Sequence, residues 1–368
     1  MRTVRVRLGA RSYPVLIGKD VLASAARHAL ASGVDRKRCV IVTQKEIAAL
    51  HGPTLEASLA QAGIEHTSFL TPSGAVSETS KTQTVLLKLI RALADYEKGS
   101  GSAFVIALGG GVIGDLAGFA ASIYRRGVPF VQIPTTLTAQ VDSAIGGKNG
   151  IDLPEGKNLL GTIYQPRVVL ADTKVLQSLP DRHWSDGSAE VIKYGVIKDI
   201  ELFASLEHFG LEGLKSDPVK LEKVIARCAQ VKADVVSRDE MDKSGERMIL
   251  NFGHTAGHAI EAAAEYGRYT HGEAVGIGML VACDIAQAVG VLKDAGLPRR
   301  LEALLVKFRL PLYYKGLDVS TILRAMGYDK KFVSGRNRFI LPVRLGRTVI
   351  VRDIPQDIIV RALQHRKR

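Results

Sequence analysis

The stretch "SAFVIALGGGVIGDLAGFAASIYR" (residues 102–125) decides how the first half of the chain folds. Its first part is a short apolar run suited to a buried strand, and the residues after Gly111 place apolar side chains at helical spacing. Between them, Gly109, Gly111 and Gly114 satisfy GxGxxG. A strand that ends in glycines and opens a helix can cradle a pyrophosphate on the backbone N–H groups of the helix N-terminus. Close packing of a strand on a helix also calls for glycine, so the turn alone leaves both readings open. The ribose-binding acid expected about 20 residues downstream of such a motif is missing; that region reads "PFVQIP". The motif also sits in mid-domain, so other residues must hold the adenosine end. Glycines and Asp115 interrupt the stretch, which argues against a membrane span.

Working outward, "RCVIVT" (38–43) and "HTSFLT" (66–71) read as strands, and "GPTLEASLAQAG" and "ETSKTQTVLLKLIRALADY" as helices. "PFVQIPTTL" reads as a strand running into a loop. This βα repetition implies a mostly parallel sheet covered by helices. The N-terminal "MRTVRVRLGARSYPVLIG" alternates basic and apolar residues and reads as a strand, not a signal peptide. After "LQSLPDRHWSDG" the pattern changes to helices, among them "SAEVIKYGVI", "DPVKLEKVIARCAQVKADVV", "ERMILNFGHTAGHAIEAAAE" and "HGEAVGIGMLVACDIAQAVG", with a late hairpin in "RNRFILPVRLGRTVIVRDI". The expected organisation is an α/β Rossmann-like domain over residues 1–180 and a mainly α-helical domain over 181–368, with a ligand in the cleft between them.

The 368 residues carry a net charge of +13. The basic residues are scattered apart from the tail "QHRKR", and no nucleic-acid motif accompanies them. A solvated basic surface, or lysines gathered near an anionic phosphorylated small molecule, accounts for the charge. Cys39, Cys228 and Cys283 stand far apart without CxxC, so neither a disulfide framework nor a cysteine zinc site is expected, as in a reducing cytoplasm.

Three segments carry chemistry. "PTTLTAQVDSAIGGKNGIDLPEGKNLLG" (134–161) reads as a long loop bearing Asp142, Lys148, Lys157 and Asn158. Each of the two lysines follows a glycine, so each is either ordinary surface or able to approach a phosphate closely. Arg247, Asn251, His254 and His258 fall at steps of four, three and four, which makes one stripe on a single expected helix. Polar groups in a buried helix need partners, from a hydrogen-bond network or from a ligand. "SAEVIKYG" puts Glu190 and Lys193 three apart, and "THGEAVG" puts His271 in the first turn of a helix capped by Thr270 and Glu273. A catalytic zinc needs three protein ligands and an open position. The available set is Glu190, one or two stripe histidines, and His271.

Together these segments resemble the 3-dehydroquinate synthases, members of the sugar phosphate cyclases. The matching stretches are "ETSK", "GGGVIGDLAGFAA", "YRRG", "PTTLTAQVDSAIGGK", "GKNLLG", "AEVIKYG", "LNFGHTAGHAIE", "HGEAV" and "DKK", which occur in the family's order across most of the chain. The resemblance implies a homodimer that uses NAD and a divalent metal (zinc or cobalt). It also implies action in the shikimate pathway on a seven-carbon phosphorylated keto acid sugar, and neither nucleic acid nor membrane is an expected partner. The family's metal ligands fall on Glu190, His254 and His271. Its dinucleotide positions fall on Glu78 and Lys81, the turn through Gly111, Val112, Ile113, Gly114 and Asp115, Thr135 and Thr136, Lys148 and Lys157, and "VLQS" (Val175, Leu176, Gln177 and Ser178). Its substrate positions fall on Asp142, Lys148, Asn158, Lys193, Lys232, Arg247, Asn251, His258 and Lys331, while Arg126 matches a residue that reaches the neighbouring subunit's site. Two departures stand out. Gln44 replaces the usual Asp or Asn near the adenosine. "DEMDKSGER" is one residue longer than usual, so either Glu240 or Asp242 is the acid before Arg247. The nearest rivals are other cyclases, such as 2-deoxy-scyllo-inosose synthase, and metal-dependent polyol dehydrogenases. Lys232, Arg247, Asn251 and Lys331 favour the substrate that bears a carboxylate.

Overall fold

The computed structural model describes residues 1–72, 80–98, 101–265, 267–328 and 337–368. In chain order the strands are β1 (Arg2–Val6), β2 (Tyr13–Gly18), β3 (Arg38–Gln44), β4 (Glu65–Thr71), β5 (Phe104–Gly109), β6 (Phe130–Pro134), β7 (Lys148–Leu153), β8 (Gly156–Ile163), β9 (Val168–Asp172), β10 (Arg338–Arg344) and β11 (Arg347–Arg352). The α-helices are α1 (Ala25–Ala31), α2 (Lys45–Gln61), α3 (Gln83–Glu97), α4 (Gly111–Ile123), α5 (Asp181–Ile197), α6 (Ile200–Ser216), α7 (Pro218–Arg238), α8 (His254–Ala263), α9 (His271–Ala288), α10 (Leu297–Lys307), α11 (Val319–Tyr328) and α12 (Gln356–His365). None is long and apolar enough to cross a membrane.

Two compact units emerge. The first joins Met1–Leu179 to Leu221–Met241, and the second joins Pro180–Lys220 to Asp242–Arg368. A single division at residue 180 therefore misplaces most of α7. Contacts that no sequence pattern announces hold it to the first unit: Ser237 accepts from the Arg7 N–H, and Lys232 bonds Asp142.

In the first unit a seven-stranded sheet runs in the order β1-β2-β9-β6-β5-β3-β4. All neighbours are parallel except the β1–β2 pair. The N-terminal stretch read as one strand is this antiparallel pair, turned by a short 3-10 helix at Gly9–Arg11. β5 is buried along its whole length, as a central parallel strand must be. The chain builds outward from β3 to β4, then crosses back to β5 and continues to β6 and β9 on the other side. The order reverses between β3 and β5, and open α/β sheets bind ligands outside the strand carboxyl ends at such a point. That explains why the glycine turn lies in mid-domain: it follows β5, whereas Gln44 ends β3 on the other flank.

Residues 134–161 do not form the loop expected of them. A π-helical turn covers Ala139–Ser143, and β7 and β8 make a separate two-stranded hairpin. β8 is largely exposed, so it shows none of the apolar alternation by which a strand is recognised.

In the second unit α9 is buried on nearly every face, as expected for a helix that is apolar almost all round, and α5 is buried from Trp184 onward although it carries the paired Glu190 and Lys193. The helix expected over residues 246–265 is broken. A 3-10 turn spans Glu246–Asn251, Gly253 takes φ 80°, and α8 begins only at His254. The cause is tertiary. A Cβ on Gly253 would lie 2.6 Å from Met279 and 2.9 Å from the Val275 carbonyl, so close packing on α9 demands glycine there. Arg247 and Asn251 therefore do not share a helix with His254 and His258.

Candidate active site

The second unit gathers its charged groups where α5, α8 and α9 meet. α9 starts with a capping box: the Glu273 N–H donates to Thr270 Oγ1, and the Thr270 N–H donates to the Glu273 carboxylate. Gly272 then lies flat on α5, since a Cβ there would sit 2.0 Å from the Asp186 carbonyl. Its N–H donates to Asp186 Oδ1 at 2.6 Å. This contact pins His271, on the first turn of α9, beside Glu190 on α5.

Glu190 is completely buried. Its Oε1 lies 3.2 Å from His271 Nε2 and 3.4 Å from His254 Nε2. The far side of each ring is fixed too: His271 Nδ1 is 3.1 Å from Glu261 Oε2, and His254 Nδ1 is 3.1 Å from the Phe252 carbonyl. A carbonyl only accepts, so His254 carries its proton on Nδ1 and turns the Nε2 lone pair toward Glu190. Two electron-rich atoms face each other, an arrangement that a cation between them satisfies. Ligands about 2.0–2.1 Å from a tetrahedral zinc lie roughly 3.3 Å apart, matching both spacings. Glu261 and the Phe252 carbonyl would then supply the outer bonds that orient histidines holding a metal.

Burial and neighbouring charges act differently on the three groups. Burial lowers the His254 imidazole, and Glu190 offsets this only in part. Burial would lower His271 as well, but its bonds to Glu190 and Glu261 hold it well above the ordinary range. For Glu190 burial acts upward, yet the Lys193 charge and the contacts with His254 and His271 keep it well below the usual carboxylate range. Lys193, itself buried, makes its ion pair with Glu190 Oε2.

His258 borders the same centre. The ligand atoms of His254, His258 and His271 lie within 4.8 Å of one another, and His258 is the exposed member. Arg247 is buried on the 3-10 turn, and Asn251 is partly buried at its end. Of the two acids that precede Arg247, Glu240 bonds Arg11 and Gln165 within the first unit, and Asp242 is exposed.

In the first unit the glycine turn is closely packed. A Cβ on Gly114 would meet the Gln132 side chain at 2.8 Å, and one on Gly111 would meet Ser143 Oγ at 2.9 Å. The first contact is helix-on-sheet packing. The second places a hydroxyl beside the first turn of α4, where Val112 and Ile113 follow. Ser143 Oγ and Thr135 Oγ1 are buried with no hydrogen-bond partner among the described residues. Buried hydroxyls at a helix N-terminus without partners suit a phosphate group. Thr136 borders Gly110, and Val175–Ser178 form a 3-10 turn after β9.

Several expected groups hold one another. Lys81 Nζ bonds Asp115 at 2.8 Å and Asn158 at 2.5 Å, and the Asn158 N–H donates to Asp152. Lys232 Nζ donates to the Asp142 carbonyl at 2.6 Å and lies 2.8 Å from its carboxylate. Lys148 and Lys157 are separated instead. Each stands near the start of its own antiparallel strand, β7 or β8. The six residues of β7 put them roughly 15 Å apart by strand rise. Arg126 is exposed in the 3-10 turn, Tyr124–Arg126, that follows α4. Glu78 and Lys331 lie outside the described residues.

Sequence reading missed Glu261, Gln140, Ser143 and His51. Glu261 falls seven residues after His254, on the same helical face, which is a usable signal. Gln140 is fully buried and donates to the carbonyls of Pro134 and Asp172, tying the π turn to the sheet. His51 Nε2 lies 3.2 Å from Ser178 Oγ. Nothing local in the sequence announces either contact.

Comparison with known proteins gives a consistent answer. Residues 73–186 match the family described as 3-dehydroquinate synthase N-terminal, and residues 187–332 match 3-dehydroquinate synthase C-terminal. A 3-dehydroquinate synthase from Rhodopirellula baltica is 42% identical, over 99% of this chain and 97% of the relative. Among solved structures, 2-epi-5-epi-valiolone synthase from Streptomyces hygroscopicus subsp. jinggangensis, with NAD+ and Zn2+ bound, matches with a TM-score of 0.85 at 30% identity, covering 99% of each chain. A 2-deoxy-scyllo-inosose synthase complexed with carbaglucose-6-phosphate, NAD+ and Co2+ matches with a TM-score of 0.86 at 26% identity, covering 99% of this chain and 100% of that one.

Proposed function

The chain belongs to the 3-dehydroquinate synthase family, and from that premise we propose that it works with NAD and one divalent cation, zinc or cobalt, held by Glu190, His254 and His271. The observation that carries this reading is the Glu190 carboxylate set 3.2 and 3.4 Å from two oriented imidazole nitrogens. The substrate is 3-deoxy-D-arabino-heptulosonate 7-phosphate, and the products are 3-dehydroquinate and phosphate.

When bound, the cation supplies Lewis acidity at a ring hydroxyl, and the nicotinamide takes up and later returns a hydride. The chain's own residues do the rest. Lys193, seated on Glu190, keeps the metal ligand ionised. His258, exposed beside the centre, and Lys148 neutralise the substrate phosphate. Arg247 pairs with the substrate carboxylate through two parallel hydrogen bonds. Lys232 and Asp142 hold each other ready for substrate hydroxyls. Oxidation acidifies the C–H beside the new ketone. That proton passes to the substrate's own phosphate, and the phosphate leaves with its bonding electrons. Ring opening and an intramolecular aldol addition then close the carbocycle, and the overall conversion carries no net redox change. The glycine turn, Thr135, Thr136 and Lys157 serve the dinucleotide, and Lys81 with Asp115 anchors the hairpin beside it.

The working form in this reading is a cytoplasmic homodimer. Three buried free cysteines fit a reducing compartment, and Arg126 of each copy completes the phosphate site of the other. The test is phosphate release from the seven-carbon substrate while NADH is monitored. Stoichiometric phosphate and 3-dehydroquinate without net NADH are expected. NADH accumulating with each turnover would instead mark a polyol dehydrogenase.

A further inference from the structure

The turn that ends α4 is built at a conformational cost. Arg125 takes φ 49° and ψ 30°, Arg126 takes φ 63° and Gly127 takes φ 123°. Two successive non-glycine residues in left-handed backbone persist only where surrounding contacts over-determine them. Those contacts converge on Glu97, the last residue of α3, whose side chain is 2% exposed. Arg125 Nε donates to its Oε2 at 2.6 Å and the Tyr124 hydroxyl donates to the same oxygen at 2.8 Å, while the Ala103 N–H donates to Oε1 at 2.6 Å. From the other side, Tyr164 donates to the Val128 carbonyl at 2.9 Å and backs Gly127.

The two arginines have opposite fates. Arg125 is tied to the buried carboxylate. Arg126 is exposed and makes no hydrogen bond or ion pair among the described residues. An ion pair that served stability alone would not require the next residue to be strained as well. We infer that Glu97 is a positioning residue: through Tyr124 and Arg125 it holds the left-handed turn that presents the Arg126 guanidinium to the phosphate of substrate bound in a neighbouring copy of the chain. This rests on the reading of Arg126 given above.

The test is a double-mutant cycle on the intact holoenzyme, with kcat, KM for the phosphorylated substrate and NAD affinity measured for Glu97→Gln, Arg126→Ala and the double variant. Arg126→Ala should lower kcat/KM by roughly 100-fold, and Glu97→Gln by about 10-fold, mainly through KM, with NAD affinity unchanged. The double variant should match Arg126→Ala alone. If Glu97→Gln has wild-type kinetics while Arg126→Ala is impaired, the positioning role is wrong and the reading of Arg126 stands. If the two losses multiply, Glu97 acts independently of Arg126 and the inference also falls. If Arg126→Ala is inert, the reading of Arg126 fails, and the inference with it. Should Glu97→Gln not fold, Tyr124→Phe removes one donor to Glu97 and replaces it in the same cycle, with the same outcomes.

Discussion

The proposed metal centre and the proposed dinucleotide turn would bind by opposite means. At the metal centre side chains do the binding, and they are already bonded to one another: Glu190 to both histidines and Lys193, and His271 onward to Glu261. At the glycine turn the backbone would do the binding. Glycines clear space around a helix N-terminus, and the nearby hydroxyls of Thr135 and Ser143 have no partner among the described residues. A side-chain site fails sharply when one charge is removed, because the remaining buried charges are left uncompensated. A backbone site fails gradually, because several N–H groups share the ligand. The same contrast predicts that damage to one site spares ligand binding at the other.

The largest expected effect is at the side-chain site. Glu190→Gln should reduce phosphate release by more than about 1,000-fold through loss of the cation, with NAD affinity retained, as calorimetry would show. Loss of NAD binding in that variant would break the contrast. Arg247→Ala comes next: an unmatched carboxylate and lost bidentate pairing should cost the acidic substrate roughly 100-fold or more in kcat/KM. A neutral substrate such as glucose 6-phosphate should be processed poorly by the wild type. Equal turnover of the two would favour an inosose-forming cyclase. Glu261→Gln, one bond removed from the metal, should weaken metal affinity by about 10–100-fold without abolishing it, which competition with a chromogenic chelator would measure.

The backbone site should respond more gently. Gly111→Ala sets a methyl 2.9 Å from Ser143 Oγ and should weaken NAD by roughly 10-fold while zinc content stays at one per chain. Ser143→Ala should weaken NAD by only a few-fold, roughly one hydrogen bond's worth. An effect of Ser143→Ala larger than that of Gly111→Ala would mean that the hydroxyl, not the backbone, dominates the site.

The same contrast explains what could be read in the sequence. Parallel strands such as β5 announce themselves as apolar runs, and candidate ligands as histidine and carboxylate residues within otherwise apolar helices, although Glu190, His254 and His271 lie on three different helices and spacing alone does not select them. Both signals are local. The hairpin of β7 and β8 was illegible because β8 is exposed and carries no alternation. The break before His254 was illegible because it answers to Met279 and Val275 on another helix. The mid-domain position of the glycine turn looked irregular until the strand order put a reversal between β3 and β5. The assignment of α7 to the first unit rests on Lys232 and Ser237 meeting residues far away in the chain.

The central claim is that His271, not His258, completes the metal set with Glu190 and His254. Metal content after exhaustive dialysis tests it most directly, with zinc measured in wild type, His271→Ala and His258→Ala. The account predicts one zinc per chain in the wild type and in His258→Ala, and loss of zinc in His271→Ala. Zinc lost from His258→Ala but retained in His271→Ala would contradict it.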